Sequence, residues 1–342
     1  MLFTKLIAPD SEEEIKQHWK YTDKVYISIL CPCFNQEGYI CDAIEGFLAQ
    51  ECEYRFEIII HDDASTDSTP EILKAYQARF PSIIKLVLQT ENQYSQGKQI
   101  SAIAASYAQG EYLALCEGDD FWIDKQKLNK QHAILSRSHN IDICFTSAMT
   151  LDPNGRVKFF ANYSKVQKIF SLSEVVRGGG GFMPTASLFF RKKIMDSMPD
   201  WFHTAPVGDY YIQILSSVNG GAVFLPSCSV VYRVNAVGSW SSSRLNWSYE
   251  KIYNDSNSFL THTDLISSLG VLDNDISYVK SMSLLYTSIE LLKHGCNKDF
   301  KPFIIRSWRS YPYLNIKQIA CYGLRSFPSL MRFLLVFKTK ID

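Results

Sequence analysis

The stretch Tyr112-Leu-Ala-Leu-Cys-Glu-Gly-Asp-Asp120, followed by Phe121 and Trp122, decides the fold that we predict for this chain. An apolar run of strand length ends there in carboxylates, which are costly together because like charges raise each other's pKa. Manganese or magnesium would neutralise them, since one or two carboxylates together with substrate phosphates usually hold such an ion. The same residues also fit a polar turn with a helix-capping Asp, so this stretch alone leaves both interpretations open.

The composition fits a folded protein with a substantial core. The chain has 342 residues, which predicts one large domain with an appendage. Hydrophobic residues make up 46% and charged residues 20%, as in globular rather than disordered proteins. Lys+Arg and Asp+Glu both number 35, so the charge balance predicts no nucleic-acid partner.

Cysteine usage and hydropathy predict a cytoplasmic location. The nine cysteines form no paired framework, and Cys31 and Cys33 lie in an apolar strand-like run, which favours free thiols in a reducing compartment. Residues 12–14 are all Glu, where a signal peptide would need apolar residues. No segment reaches the roughly 18 uninterrupted apolar residues of a membrane span.

Strands and helices are predicted to alternate after a peripheral arm at residues 1–24. Apolar runs predict strands at 25–33, 56–61, 83–88 and 112–116. Helical spacing predicts helices from 40 to about 50, from Thr69 with Pro70 at the first helical position, and around 100–107. This alternation predicts right-handed βαβ units, and therefore an α/β fold with a mostly parallel sheet flanked by helices.

Polar residues follow the carboxyl end of each predicted strand. In chain order they are Asn35 and Glu37, Asp62 and Asp63, Glu91 and Asn92, and Asp119 and Asp120. Ligands bind beyond the carboxyl ends of strands in open α/β sheets, so we expect the four clusters to meet in one crevice. No Gly-x-Gly-x-x-Gly turn or Gly-Lys-Ser/Thr loop follows the first strand, which disfavours a dinucleotide fold and a P-loop hydrolase.

Several short segments occur in a fixed order along residues 25–130. They are Ile29-Leu-Cys-Pro-Cys-Phe-Asn35 with Glu37, Ile59-Ile-His-Asp-Asp-Ala-Ser-Thr-Asp67, residues 92–97, Ala108-Gln-Gly-Glu-Tyr112, and Glu117-Gly-Asp-Asp-Phe-Trp122 with Lys127-Leu128. Together they resemble the nucleotide-sugar domain of family 2 glycosyltransferases, inverting enzymes of GT-A fold, and most of all those that build bacterial capsule, O-antigen or other surface polysaccharides. The resemblance implies a GT-A domain over 25–241, with a nucleotide-sugar half (25–130) and an acceptor half (131–241).

The resemblance also implies roles in binding the donor. Pro32 and Phe34 would lie along the nucleotide, and Glu37 near the ribose or base. Asp63 would accept a hydrogen bond from the imide N–H of the base, which makes uracil the expected base, although relatives use other nucleotides.

Around the diphosphate, the resemblance implies that Asp119 binds near the ribose. Asp120 would ligate a Mn²⁺ or Mg²⁺ ion that bridges the phosphates. Lys98 could reach a phosphate or remain a solvated surface lysine.

The acceptor half is less informative. We predict a strand at 141–146 and polar, irregular structure over 158–176, followed by four glycines at 178–181. The glycines alone indicate a flexible turn, whereas in the family a mobile loop at this place lines the sugar and acceptor site. Candidate acceptor or loop contacts, each of which also fits plain packing, are Trp122, Phe182, Met183, Trp201 and His203.

Asp209 is the predicted catalytic residue. The segment Val207-Gly-Asp-Tyr-Tyr211 begins an amphipathic helix, in which Asp209 could serve only as a cap. The family places its catalytic base in such a motif. An inverting transfer needs one carboxylate that takes the proton of the acceptor hydroxyl as it attacks through an oxocarbenium-like transition state.

Predicted strands at 222–225 and 229–234 close with Tyr232-Arg-Val-Asn235. Asn235 stands where relatives often have His. Asn is a poor metal ligand but can hydrogen-bond a phosphate, which leaves the second protein contact to the metal open. Arg233 could pair with phosphate or with a structural carboxylate.

The region 242–342 is predicted to be a helical appendage. Residues 301–342 hold eight Lys/Arg and one acid, Asp342, among many aromatic residues. This pattern suits an anionic membrane face, and it also suits a helical cap with its cations in solvent. We expect a protein that is peripheral on the inner face of the plasma membrane, where lipid-linked acceptors lie.

The main hypothesis is an inverting glycosyltransferase that moves a sugar from a nucleotide-diphosphate sugar, with UDP expected, to a glycan or lipid-linked acceptor. A nucleotidyltransferase would need a Gly-rich, Lys/Arg-bearing loop after the first strand, and residues 31–35 offer none. An inactive sugar-binding scaffold is the non-enzymatic alternative. It would have no reason to keep all four of Asp63, Asp119, Asp120 and Asp209.

Overall fold

The computed structural model describes residues 3–244 and 246–338. Predictions for residues 1–2, Lys340 and Asp342, and for the side chains of Trp240, Phe337 and Lys338, lie outside the described residues. Within these residues the chain forms two compact units, one of residues 3–204 and 208–244 and the other of residues 205–207 and 246–338. The boundaries predicted at residues 24, 130 and 241 stay predictions.

The first unit is built on a ten-stranded sheet in which helices connect the first strands. Its strands are β1 (Ile27–Cys33), β2 (Phe56–Asp62), β3 (Ile84–Leu88), β4 (Tyr112–Leu115), β5 (Phe121–Trp122), β6 (Ile143–Leu151), β7 (Val157–Phe160), β8 (Lys168–Phe170), β9 (Phe189–Arg191) and β10 (Ala222–Arg233). Its helices are α1 (Glu12–Lys16), α2 (Ile40–Leu48), α3 (Thr69–Arg79), α4 (Ile100–Ser106), α5 (Lys127–Arg137), α6 (Leu172–Gly178), α7 (Lys193–Asp196), α8 (Gly208–Ser217) and α9 (Trp240–Arg244).

The sheet order is β3-β2-β1-β4-β9-β6-β10-β5, with β7 on β6 and β8 on β10. The four predicted strands β1–β4 pair in parallel, while β5, β7, β8 and β9 pair antiparallel with their neighbours. Nearly all residues of β1 and β2 are buried, because helices cover both faces of a parallel sheet and its strands are then apolar throughout. The predicted α/β fold class is confirmed.

Close packing explains why a glycine stands at position 110, in the segment 108–112 that resembles the family. Gly110 lies so near β1 that a Cβ atom there would approach the backbone nitrogen of Ser28 to 2.5 Å. The Gly110 N–H donates to the Ser28 hydroxyl at 2.9 Å. A larger residue would therefore separate β4 from β1.

Two predictions about the acceptor half are wrong. Residues 158–176, predicted as irregular, carry most of β7, all of β8 and most of α6. The two strands predicted at 222–225 and 229–234 form one strand, β10, which continues past Pro226 through register shifts against β6. A bulge of this kind lets a strand tolerate a proline that cannot donate to its neighbour.

The second unit is helical. Its helices are α10 (Tyr249–Leu265), α11 (Asp273–Lys293), α12 (Asn297–Ser310), α13 (Ile316–Gly323) and α14 (Pro328–Lys338). Residues of α11, α12, α13 and α14 share a core that includes Leu285, Leu292, Phe300, Cys321 and Met331. Among the helices of the described residues, we find none with the length and apolar character that a membrane crossing requires.

Candidate functional site

The loops after β1, β2 and β4 meet at one edge of the sheet. The backbone N–H of Asp63 donates to the carbonyl of Cys33 at 3.0 Å, and that of Gly118 donates to Pro32 at 3.1 Å. The loop after β1 therefore lies between the two carboxylate-bearing loops. The structure thus brings together Pro32, Asp63 and the segment around Asp119.

Asp63 joins this edge to the segment that follows β3. It is almost fully buried, and its two carboxylate oxygens accept the backbone N–H groups of Gln93 and Tyr94 at 2.8 and 3.0 Å. Its carbonyl accepts the Asn92 side chain at 3.1 Å. Each carboxylate oxygen retains a further lone pair, so Asp63 can still accept a hydrogen bond from a ligand.

The other predicted donor contacts lie on the surface of the same edge. Phe34 is exposed and Pro32 half-buried. Glu37 is exposed and accepts the backbone N–H of Ser68, directly before α3, at 2.9 Å. Lys98 is also exposed and donates to the Gln93 side chain at 2.5 Å, so in this structure its ammonium is engaged by an amide.

We call residues 117–120, between β4 and β5, the carboxylate turn. Asp120 is fully buried, and its Oδ1 accepts the backbone N–H of Arg233 at 2.8 Å. Its Oδ2 has no hydrogen-bond partner among the described residues. Asp119 is 8% exposed, and Glu117 is exposed.

The electrostatics of the carboxylate turn favour the binding of a cation. Burial, followed by the negative charge of Asp119, raises the pKa of Asp120 well above its ordinary value. Burial likewise raises the pKa of Asp119. Although Glu117 is exposed as a residue, the protein around its carboxylate, followed by the negative charges of Asp119 and Asp209, raises its pKa to about 8.

The carboxylate turn fits one hard divalent cation. Carboxylate oxygens are the ligands such ions prefer, and Asp120 Oδ2 is a buried oxygen without a partner. The part of the chain that the structure describes holds no cluster of three or more His, Cys, Asp or Glu side chains that could bind a metal alone. An ion at this turn would therefore complete its ligands with phosphate and water oxygens.

Arg233 clamps the carboxylate turn. Its guanidinium donates to the carbonyl of Asp119 at 2.5 Å, pairs with Asp42, and lies 4.5 Å from the ring centroid of Phe121. Lys5 pairs with the same oxygen of Asp42 at 2.7 Å. Of the two partners that the sequence allows for Arg233, the structure contains the structural carboxylate.

Asp209 lies at the start of α8 and is half-buried. Its Oδ2 accepts the hydroxyl of Thr185 at 2.8 Å, and its Oδ1 accepts the backbone N–H of Tyr210 at 2.7 Å. Burial raises the pKa of Asp209, and the two hydrogen bonds oppose this shift. A carboxylate with a raised pKa and an open side is suited to take up a proton.

The acceptor candidates occupy different environments. Trp122 is fully buried, donates to the carbonyl of Ala186 at 2.9 Å and packs on Phe47. Met183 is also fully buried. These two side chains offer no surface to an acceptor in this structure. Of the remaining candidates, Phe182 and Trp201 are half-buried, and His203 and Asn235 are exposed.

Two residues of the site gave no sequence signal of their own. Asp42, the partner of Arg233, is an acid in the first turn of a helix, where acids are common for the helix dipole alone. Thr185, the partner of Asp209, lies within the segment that follows the glycines. Only the fold brings either residue to its partner.

Comparison with known proteins gives one family. Residues 28–196 match the model described as glycosyl transferase family 2. An uncharacterized protein of Mycobacterium tuberculosis (strain ATCC 25618 / H37Rv) is 35% identical over 218 residues, which cover 64% of this chain and 61% of the relative. The chain therefore spans less than two thirds of the length of this relative.

A second similarity concerns TarS, a poly(ribitol-phosphate) β-N-acetylglucosaminyltransferase of Staphylococcus aureus. Its sequence is 28% identical over 114 residues, 33% of this chain and 19% of TarS. The crystal structure of TarS 1–349 in complex with UDP-GlcNAc superposes with a TM-score of 0.61 at 16% identity, covering 87% of this chain and 89% of that one. At this identity the likeness extends to the fold.

Proposed function

Residues 28–196 of this chain belong to glycosyl transferase family 2, and from this premise we propose that the chain transfers a sugar in polysaccharide synthesis. The donor is a nucleotide-diphosphate sugar and the acceptor a hydroxyl group. The observation that carries the proposal is the buried Asp120 oxygen without a partner, in a turn whose Glu117 also senses the charge of Asp209.

The donor nucleotide lies along the loops after β1, β2 and β3. Pro32 and Phe34 flank it, Glu37 lies near the ribose or base, and Asp63 accepts the imide N–H of the base. A uridine nucleotide fits this acceptor, and TarS, whose structures include complexes with UDP-GlcNAc and UDP, supports it. Lys98 reaches a phosphate by releasing Gln93.

The diphosphate lies against the carboxylate turn. Asp120 would hold a Mn²⁺ or Mg²⁺ ion, with Asp119 beside it near the ribose. When bound, the cation neutralises the charge that builds up on the leaving nucleoside diphosphate. Arg233 bonds to Asp119 and Asp120 and keeps their oxygens in place. Asn235, two residues after Arg233 in the sequence, bonds a phosphate.

Asp209 is the general base. The acceptor oxygen forms a bond to the anomeric carbon while the bond from that carbon to the phosphate oxygen breaks, and its electron pair leaves with the diphosphate. Asp209 takes the hydroxyl proton during this attack. Because attack comes from the side opposite the leaving group, the configuration at the anomeric carbon inverts.

The acceptor is a glycan or a lipid-linked saccharide, and the protein works in the cytoplasm, peripheral to the inner face of the plasma membrane. Phe182, Trp201 and His203 are the acceptor contacts that retain surface.

The test is release of nucleoside diphosphate from a panel of nucleotide sugars with Mn²⁺, for wild type, Asp120→Ala and Asp209→Asn. We expect wild type to turn over one donor. Asp120→Ala should lose metal-dependent donor binding, whereas Asp209→Asn should bind the donor but react about 10²–10⁴-fold more slowly, the usual share of a general base.

Three results would overturn parts of this proposal. Full activity of Asp209→Asn would reduce Asp209 to a helix cap. Turnover by Asp120→Ala with unchanged metal dependence would move the metal elsewhere. If no nucleotide diphosphate raises the melting temperature of wild type with Mn²⁺, the inactive-scaffold alternative takes the place of the enzyme.

A further inference from the structure

The second unit exposes large apolar side chains at the end of the described chain. We call them the C-terminal apolar face: Tyr313, Ile316, Ile319, Phe327, Leu330, Phe333 and Leu334. Phe327 is 62% exposed, Leu330 48% and Phe333 58%. Side chains of this size rarely gather on the surface of a protein without an interaction partner.

The two helices that carry this face are already anchored by their other sides. Met331 of α14 and Cys321 of α13 are buried in the core of the second unit. Gln318 of α13 is fully buried and donates to the hydroxyls of Ser281 and Ser307. The C-terminal apolar face is therefore additional to the surface that stabilises the unit.

The sequence segment that carries this face is positively charged. Residues 301–334 contain six Lys/Arg and no Asp or Glu. Lys317 and Arg332 lie on the same two helices as the apolar residues, and both are exposed. An occupant that complements this segment therefore offers both apolar surface and negative charge.

We propose that the C-terminal apolar face docks the protein on the surface of an anionic phospholipid bilayer. Apolar side chains of such helices insert into the boundary between headgroups and acyl chains, while Lys and Arg bind anionic headgroups. A second copy of this chain fits poorly, because it would bring two sets of like charges together. This docking face specifies the peripheral location proposed above and requires no step of sugar transfer.

The experiment is cosedimentation of the full chain with vesicles, without any donor. We expect binding to vesicles of phosphatidylglycerol and phosphatidylcholine, weaker binding at high salt, and almost none to pure phosphatidylcholine. The double variant Phe327→Asp with Leu330→Asp should lose at least tenfold in binding. The matched control is Phe159→Asp with Val166→Asp, an aromatic and an aliphatic residue exposed on the first unit, which should bind as wild type does.

Charge is tested separately with Lys317→Gln and Arg332→Gln, which should weaken binding and flatten its dependence on salt. Equal binding of the Phe327/Leu330 variant, or equal binding to neutral vesicles, would overturn the proposal. So would a dimer in light scattering that the same variant dissociates, since a second copy would then cover the face. Melting curves without vesicles verify that each variant is folded. If the protein binds vesicles but turns over no donor, the proposed function is wrong and the docking proposal is still supported.

Discussion

Asp120 and Asp209 lie in the same unit but are held in place by different means. Asp120 follows β4 and directly precedes β5, and its Oδ1 accepts a backbone N–H from the end of β10. Asp209 begins a helix, and its carboxylate accepts the Thr185 hydroxyl and the backbone N–H of Tyr210. The sheet thus fixes the position of the first carboxylate, whereas a side-chain hydroxyl contributes to holding the second.

Because of this difference, a substitution can change the pKa of Asp209 without changing the position of Asp120. A group fixed by backbone pairing keeps its position when nearby side chains change, which suits a metal ligand that must remain in place. A group that depends on one side-chain hydrogen bond can have its pKa changed by one substitution, which suits a base. Single substitutions can therefore test the support of Asp120 and the pKa of Asp209 separately.

The largest effect is expected from Arg233→Met, which removes the clamp but keeps a long apolar side chain. Loss of the bonds to Asp119 and Asp42 should loosen the carboxylate turn. The Mn²⁺ concentration that gives half-maximal thermal protection by UDP should rise roughly 10–100-fold, as for other residues that support metal ligands.

The control for this variant is Arg191→Met. Arg191 is also largely buried and pairs with Asp142, and its guanidinium donates to the carbonyl of Leu135, away from the carboxylate turn. An equal loss of metal affinity in both variants would mean that Arg233 merely stabilises the sheet.

An intermediate effect is expected from Thr185→Val. Asp209 acts as a base only when deprotonated, so kcat should fall as the pH decreases through its pKa. The Thr185 hydrogen bond lowers this pKa, and its loss should move the acid limb of the pH profile upward by about one unit, the value of one hydrogen bond to a charged group. Below the limb this is about tenfold in rate, and above it the rate should be unchanged.

Ser187→Ala is the matched control, because Ser187 lies in the same short turn and donates to the carbonyl of Pro184 instead. A uniform loss of rate at every pH in Thr185→Val would indicate a displaced base rather than a shifted pKa.

The smallest effect on the site is expected from Lys127→Met. Lys127 is fully buried behind the turn, 4.0 Å from the ring centroid of Trp122, and burial lowers its pKa to about 7. The unfolded chain binds this proton up to about pH 10.5, so between these values it holds more protons and wild-type stability rises with pH. Lys127→Met should be more stable than wild type, most clearly at pH 7 and below. Asp120 should still bind the metal in this variant.

Urea unfolding at several pH values measures this difference. Lys130→Met, which removes an exposed lysine paired with Asp124, should change stability little. A gain for Lys127→Met that is the same at pH 6 and pH 10 would show that its ammonium is not the cause.

The first half of the fold was predictable because its signals are local. Continuous apolar runs mark β1, β2 and β4, and polar residues mark their carboxyl ends. These features alone predict that Asp63 and Asp120 come to one edge of a parallel sheet.

The remaining features depend on contacts that no short segment contains. Arg233 meets Asp42 across 191 residues, and Thr185 meets Asp209 across 24. Trp122 belongs to one of the segments that resemble the family, yet its indole is fully buried against Ala186. A sequence pattern gives the identity of such residues but not which neighbour the fold supplies.

The shared oxygen of Asp42 has a consequence for the nascent chain. Lys5 precedes Asp42 by 37 residues, so this ion pair is available early in synthesis. Arg233 follows Asp42 by 191 residues, which a ribosome adds in roughly 10–40 seconds at about 5–20 residues per second. During that interval Lys5 is the only one of the two cations that has been made. The strands of the nucleotide half can therefore assemble before the residue that clamps their carboxylate turn exists.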